Sequence, residues 1–221
     1  MKFRHEHKHI INGADMKELQ TRLCAVMKRD EHCGEDGTYT VKSLYFDNYI
    51  DKALREKVDG VRNREKFRIR YYGNDLTFIR LEKKSKINGL CNKVSAPLTA
   101  EECSKIIDGD IDFLKESGAP LKQELYAKMR YQLLRPKSIV TYTRESFVYA
   151  PGNVRVTIDS HISGSANVRE FLNPDLPCST LMTTAVIEVK WDEFLPEIIR
   201  NCVQIKSRRS GAFSKYAAVR I

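Results

Sequence analysis

"FRIRYYGNDLTFIRLEKKSK" (residues 67–86) decides the fold class, because it reads as two β-strands around a turn. Arg68 and Arg70 alternate with Ile69 and Tyr71, and Arg80, Glu82 and Lys84 surround Leu81 after Ile79. Side chains along a strand point to opposite faces in turn, so each run has one apolar and one charged face. Gly73, Asn74 and Asp75 supply the turn chemistry between them.

The same alternation recurs outward from the hairpin. In "FRHEHKHII" (3–11), Arg4, Glu6 and Lys8 face away from Phe3, His5, His7 and His9. Val154, Val156 and Ile158 oppose Arg155, Thr157 and Asp159, while Ile187, Val189 and Trp191 oppose Glu188 and Lys190. "YTVKSLYFDN" (39–48), "GLCNKVSAPL" (89–98) and "KSIVTYTRESFVYA" (137–150) complete the predicted strands. Helices are predicted for "GADMKELQTRLCAVM" (13–27), with Asp15 and Glu18 at capping-box spacing, and for "NYIDKALREKVDG" (48–60), closed by Gly60. Residues 99–134 read as helices that start from Thr99 and Pro120, and the C-terminal stretch is largely helical.

The 221 residues suit one α+β domain, 1–221, because single cores grow to roughly 250 residues before they split. Thirty-eight Lys and Arg against 29 Asp and Glu leave a net charge of +9, which points to anionic partners. The six cysteines form no C-x-x-C pair, so reduced thiols are expected. No apolar leader and no run of about 18 apolar residues occurs, so a cytoplasmic protein without a membrane span is expected. No P-loop motif is present; "RRSGAFSK" only echoes one.

Two architectures fit the alternating faces. One is an antiparallel sheet, apolar against helices and polar toward water. The other is a closed barrel with a helical coat and a charged, water-filled lumen. Periodicity does not separate them. The charged face itself repeats arginine and sets a carboxylate two residues from a lysine three times, at Glu6/Lys8, Glu82/Lys84 and Glu188/Lys190. Arginine forks and lysine ammoniums suit phosphate oxygens, and carboxylates among them can share a divalent ion with a phosphate.

At these residues the sequence resembles the VTC domain, the polyphosphate polymerase module of the triphosphate tunnel metalloenzyme superfamily. "FRHEHKHII", "SLYFDN", "FRIRYYG", "IRLEKK", "LCNKVSAPL", "YTRESF", "VRVTID", "IEVKW" and "FSKY" carry the likeness, in order, over nearly the whole chain. The resemblance implies an eight-stranded antiparallel β-barrel tunnel with helices outside. It implies ATP as phosphoryl donor, polyphosphate as acceptor and product, with pyrophosphate or triphosphate as ligands, and Mn²⁺ or Mg²⁺ as the activating ion.

Motif by motif, the catalytic positions implied are Arg68, Arg70, Lys84, Arg144 and Arg155. Lys8, Lys93, Lys190, Lys215 and Arg80 are implied phosphate contacts, and Glu188 is the implied metal ligand, with Glu6 and Glu82 as further candidates. Glu82 reads more readily as an ion-pair partner that orients Lys84 than as a second metal ligand. Arg4 stands where the superfamily often has a first-strand glutamate, which weakens a two-metal triphosphatase reading. A polyphosphate polymerase, a triphosphatase and a non-catalytic polyphosphate-binding module are the functions in view, and no nucleic-acid partner is expected. Oligomeric state is left open.

Overall fold

The computed structural model describes residues 4–87, 90–180, 184–205, 211 and 213–220, with Leu90 and Cys91 described in the backbone alone. Phe3, Gly89, the Cys91 side chain and the arginines of "RRSGAFSK" lie outside the described residues. Strands β1 (His5–Ile11), β2 (Lys28–Arg29), β3 (Thr38–Asp47), β4 (Arg64–Tyr72), β5 (Asp75–Ile87) and β6 (Leu90–Leu98) fill the first half. Strands β7 (Arg135–Tyr149), β8 (Val154–Ser165), β9 (Ser179–Thr180) and β10 (Ala185–Trp191) follow. Between them run helices α1 (Gly13–Val26), α2 (Lys52–Val58), α3 (Ala100–Asp108), α4 (Asp112–Glu116), α5 (Pro120–Tyr131), α6 (Glu197–Cys202) and α7 (Lys215–Arg220).

The hairpin expected over residues 67–86 is present. β4 and β5 pair antiparallel, Arg68 opposite Glu82 and Arg70 opposite Arg80, around Gly73, whose φ of +55° favours a residue without a Cβ. Thr99 caps α3 in a reciprocal box with Glu102, and Pro120 sits in the first turn of α5. At α1 the box is one turn earlier than expected: Asn12 Oδ1 accepts from the Asp15 amide (2.8 Å), and Asp15 accepts from the Asn12 amide (3.0 Å). The three-residue spacing fits both pairs, and the chain uses the one whose first member has extended backbone, as an N-cap requires.

The expected closed barrel is not formed. Hydrogen-bonded neighbours run β1-β10-β8-β7-β3-β4-β5-β6, with β2 on β7 and β9 on β8, so β1 and β6 are the ends of an open sheet. A barrel needs its first and last strands in backbone register, and among the described residues no pairing joins β1 to β6. The two sides meet through side chains instead, Glu6 of β1 lying 3.4 Å from Lys84 of β5. The polar face is therefore the concave side of an open, curved sheet and not the lumen of the expected eight-stranded β-barrel.

The apolar face is covered in two places. Leu44, Ile69, Ile79 and Leu81 pack against Ile106, Leu114, Leu125 and Met129 of α3 to α5. Val156, Ile187 and Val189 pack against Leu19, Leu23 and Ile199 of α1 and α6. Leu125 is fully buried, so truncating it to alanine should cost about 2–5 kcal/mol.

A third cluster lies on the polar face and explains why that face is not simply solvated. Val41, Val140, Ile162 and Val186 gather around Tyr216 of α7, and Tyr216 stacks on Tyr45 at 5.1 Å. Helix α7 thus closes one part of the concave face. A Cβ on Gly164 would strike Val219, so the glycine lets α7 seat against β8. Asp47 fastens the arrangement, since its carboxylate accepts from Tyr216 Oη (2.7 Å) and from the first amides of α2.

Candidate functional site

The residues left open on the concave face fall into two groups. The first is built on arginine. Arg68 donates through Nε to Glu82 at 2.7 Å, and Lys93 reaches the other oxygen of Glu82 at 3.2 Å. Arg68 also donates to Tyr45 Oη (3.1 Å); Arg70 donates to Ser43 Oγ (3.0 Å) and Tyr142 Oη (2.9 Å). Arg144 makes a bidentate pair with Asp159, at 2.6 and 2.8 Å, and Lys215 meets the same carboxylate at 2.5 Å. Tyr142 ties the group together, because the Lys215 ammonium lies 4.6 Å above its ring and the Arg144 guanidinium 5.3 Å.

These carboxylates are buried and yet charged. Burial disfavours the ionised forms of Glu82 and Asp159, and the neighbouring cations outweigh it. Arg68, Arg70 and Lys93 hold the Glu82 carboxyl down at about 2, and Arg144 with Lys215 does the same for Asp159. The arginines are fixed as charged, oriented donors.

The second group is built on lysine. Register places Glu6 opposite Lys190 and Lys8 opposite Glu188 across the β1/β10 pair. Lys8 lies 2.6 Å from Glu6 and 3.3 Å from Glu188; Lys190 lies 3.2 Å from Glu188 and 3.9 Å from Glu6. Lys84 joins Glu6 from β5. Burial opposes the Glu188 charge, but Lys190 and Lys8 hold the carboxyl well below the usual range. Burial brings the Lys190 ammonium down to about 8, with Glu188 and Glu6 offsetting only part of the cost.

Mg²⁺ and Mn²⁺ commonly take one or two protein carboxylates and complete their shells with water and substrate phosphate oxygens. Glu6 and Glu188 meet that description: two carboxylates on neighbouring strands, on one face, already gathering cations. Among the described residues no group of three or more His, Cys, Asp and Glu forms a protein-only cage. Glu82 fits such a role poorly, because both of its oxygens are engaged by Arg68 and Lys93. It pairs with these two and not with Lys84, as the sequence had suggested.

Other implied positions share the face but take different partners. Arg155 stands opposite Lys190 in the β8/β10 pair, yet it is tied to Asp30 and donates to Ser146 Oγ (3.1 Å), with its side chain 41% exposed. Arg80 lies 4.6 Å from the Phe78 ring. Arg4 sits 2.9 Å from Asp192, and on the apolar side His5 stacks on Trp191 at 5.3 Å while His7 lies tilted to the same ring at 5.0 Å. The five cysteines described in full are free thiols.

Four residues of the site, Lys66, Tyr45, Tyr142 and Asp159, are not among the positions implied by the sequence. Lys66 shares the face of Arg68 and Arg70, two positions earlier, and continued alternation would have found it. It lies 5.5 Å above the Tyr45 ring, and burial lowers its ammonium to about 8. Tyr45 is buried, which resists ionisation, but Arg68, Lys66 and Arg70 bring its hydroxyl down to about 7. Asp159, the shared counter-ion, was visible only as one member of an alternating strand.

The protein-family model described as the VTC domain matches residues 3–220. None of the curated proteins compared with the chain matches it. Among solved structures, a candidate adenylate cyclase from Bacillus halodurans shares 15% identity, covering 86% of this chain and 80% of that one, with a TM-score of 0.48. The PH1819 protein from Pyrococcus horikoshii OT3 shares 11% identity over 96% of this chain and 94% of that one, also at 0.48. Among the described residues no helix is long and apolar enough to cross a membrane.

Proposed function

We propose, from the premise that the chain belongs to the VTC domain family, that it transfers the terminal phosphoryl group of ATP to a growing polyphosphate chain held on the concave face. Family membership is consistent with metal-dependent phosphotransferase chemistry on polyphosphate or nucleotides in general. The observation that carries the finer reading is the pairing of fixed arginines with a two-carboxylate, lysine-lined centre on one face.

Phosphoryl transfer asks little covalent chemistry of a protein; alignment and charge stabilisation do most of it. Arg68, Arg70 and Arg144 would bind triphosphate oxygens, while Lys8, Lys84 and Lys190 would hold the acceptor and take up charge as it shifts. Lys93 and Lys215 share the counter-ions Glu82 and Asp159 with them, and Arg155 and Arg80 stand opposite Lys190 and Arg70. An ionised terminal oxygen of polyphosphate attacks the γ-phosphorus in line, and the bond to ADP breaks. That oxygen needs no proton removed, so no dedicated base is required. Mn²⁺ or Mg²⁺ on Glu6 and Glu188 would neutralise charge on the transferred group.

The test is incubation of the protein with ATP and Mn²⁺, resolving products on a gel stained for polyphosphate while free phosphate is assayed. A ladder of chains is the expected outcome. Phosphate without chains would replace the reading with a triphosphatase, and neither product would leave a binding module.

A further inference from the structure

Beyond Glu6 the concave face opens into a chamber of about 370 Å³, lined by Lys8, Lys66 and Lys84 and continuing past Lys57, Arg64 and Lys86. A second, more open chamber of about 520 Å³ shares Lys57, Arg64, Lys86, Phe213 and Ser214 with the first, so one leads into the other. The described lining of the outer chamber includes those three cations and no carboxylate.

The hairpin register makes this arrangement costly for an empty protein. Arg64 is directly opposite Lys86, and Lys66 directly opposite Lys84. Like charges opposed across a sheet repel, and strands ordinarily avoid them. Lys57 adds another cation from α2: burial lowers its ammonium pKa first, and Arg64, Lys8 and Lys86 lower it further. An anion that threads between these side chains would relieve each repulsion in turn.

We propose that the outer chamber is a track for the distal part of an inorganic polyphosphate chain, with Lys57, Arg64 and Lys86 gripping phosphates well beyond those at the Glu6–Glu188 centre. The inference rests on reading the concave face as a polyphosphate site. It assigns chain retention to residues outside the motif positions, so the track sets how long a chain the protein keeps hold of. Single-stranded nucleic acid is the less suited occupant, because its binders offer exposed aromatic rings for stacking. Here Tyr216 is only 1% exposed, and Phe213 is packed in the third cluster.

The experiment replaces Lys57, Arg64 and Lys86 together by glutamine in the full chain. Affinities for tripolyphosphate and for long-chain polyphosphate are measured by calorimetry over a range of salt concentrations, alongside a single-stranded oligonucleotide. Long-chain affinity should fall about 10-fold or more, with tripolyphosphate changed less than about 2-fold. The salt slope for the long chain should fall by about 2, near 0.7 per lost phosphate contact. Equal loss for both phosphate ligands, no loss for either, or an oligonucleotide held as tightly as polyphosphate would each overturn the track. Lys86→Gln alone, whose slope should fall by about 0.7, decides the matter if the triple variant is poorly folded. A protein that makes no chains from ATP but shows the length-selective loss keeps the track and loses the polymerase. One that makes chains while the triple variant binds like the parent loses the track alone.

Discussion

The arginine group and the lysine group share one face but hold their charges in different ways. Arg144 is clamped to Asp159 by two short bonds, and Arg68 is held by Glu82 and Tyr45. Around Glu6 and Glu188 the contacts spread from 2.6 to 3.9 Å, and two lysines share two carboxylates. A planar fork held by two bonds keeps one orientation, whereas an ammonium on a flexible stem can exchange partners. On the proposed function the difference is a division of labour: the arginines would be positioned before a ligand arrives, and the lysine centre would open to admit a metal and a phosphate.

The sharpest way to break this contrast is to remove a clamp. Asp159 is fully buried, and Asp159→Ala would leave Arg144 and Lys215 without their shared counter-ion. Breaking a buried pair from one side costs about 3–5 kcal/mol, so a large fall in urea midpoint is expected. A variant as stable as the parent would mean that the clamp is not structural. The carboxyls also fix the acid limit. Asp159 and Glu82 have folded values lowered to about 2, so the stability they contribute is complete above their unfolded values near 4 and is lost as pH falls toward 2.

Glu188→Gln probes the other group. The amide keeps the side-chain shape, so it should cost less stability than Asp159→Ala although Lys8 and Lys190 lose the carboxylate they share, and it should lower metal-dependent turnover about 100-fold, with triphosphate binding in the absence of metal weakened far less. Full activity would remove Glu188 as the metal ligand. The two variants together ask whether one carboxylate serves the fold and the other the chemistry.

Strand faces were legible in the sequence because a period of two survives in Arg68–Ile69–Arg70 and Glu188–Val189–Lys190 whatever the sheet does globally. Closure was not legible. Alternation says which way a side chain points and nothing about whether β1 and β6 find each other, and the apolar patch of Val41, Val140 and Val186 that receives α7 interrupts the charged face from within. The expected helix boxes illustrate the same limit at small scale, since Asn12/Asp15 and Asp15/Glu18 have one spacing and only backbone geometry chooses. Arg155 carried the right residue type, but its partner Asp30 comes from a distant loop, and no local pattern announces that contact. Tyr45 and Tyr142 were hidden because an aromatic in a strand reads as core, while here their hydroxyls receive the arginines.

Those hydroxyls give a smaller test of preorganisation. Tyr45→Phe keeps the ring stacked on Tyr216 and removes only the acceptor for Arg68. A hydrogen bond to a charged group contributes about 1.5–3 kcal/mol, and Arg68 retains Glu82, so triphosphate affinity should fall about 3- to 10-fold, measured by calorimetry. Unchanged affinity would mean that Glu82 alone orients Arg68.

The finest test uses pH, because the two groups should respond to it differently. The arginines stay charged throughout the accessible range, whereas Lys190 is lowered to about 8 by burial. It is a cation below that value and neutral above it, so triphosphate affinity should decline by a few-fold as pH rises from about 7 to 9. Tyr45, lowered to about 7, gains negative charge over the lower part of the same window and repels the ligand further. Lys190→Arg keeps the charge, so its decline should shrink to the part that Tyr45 and Lys66, the latter also lowered to about 8, supply. Combining it with Tyr45→Phe and Lys66→Arg should leave a nearly flat profile at reduced affinity. If the triple variant keeps the parent's slope, the titrating group lies elsewhere, and the lysine centre is no more adjustable than the arginine clamp.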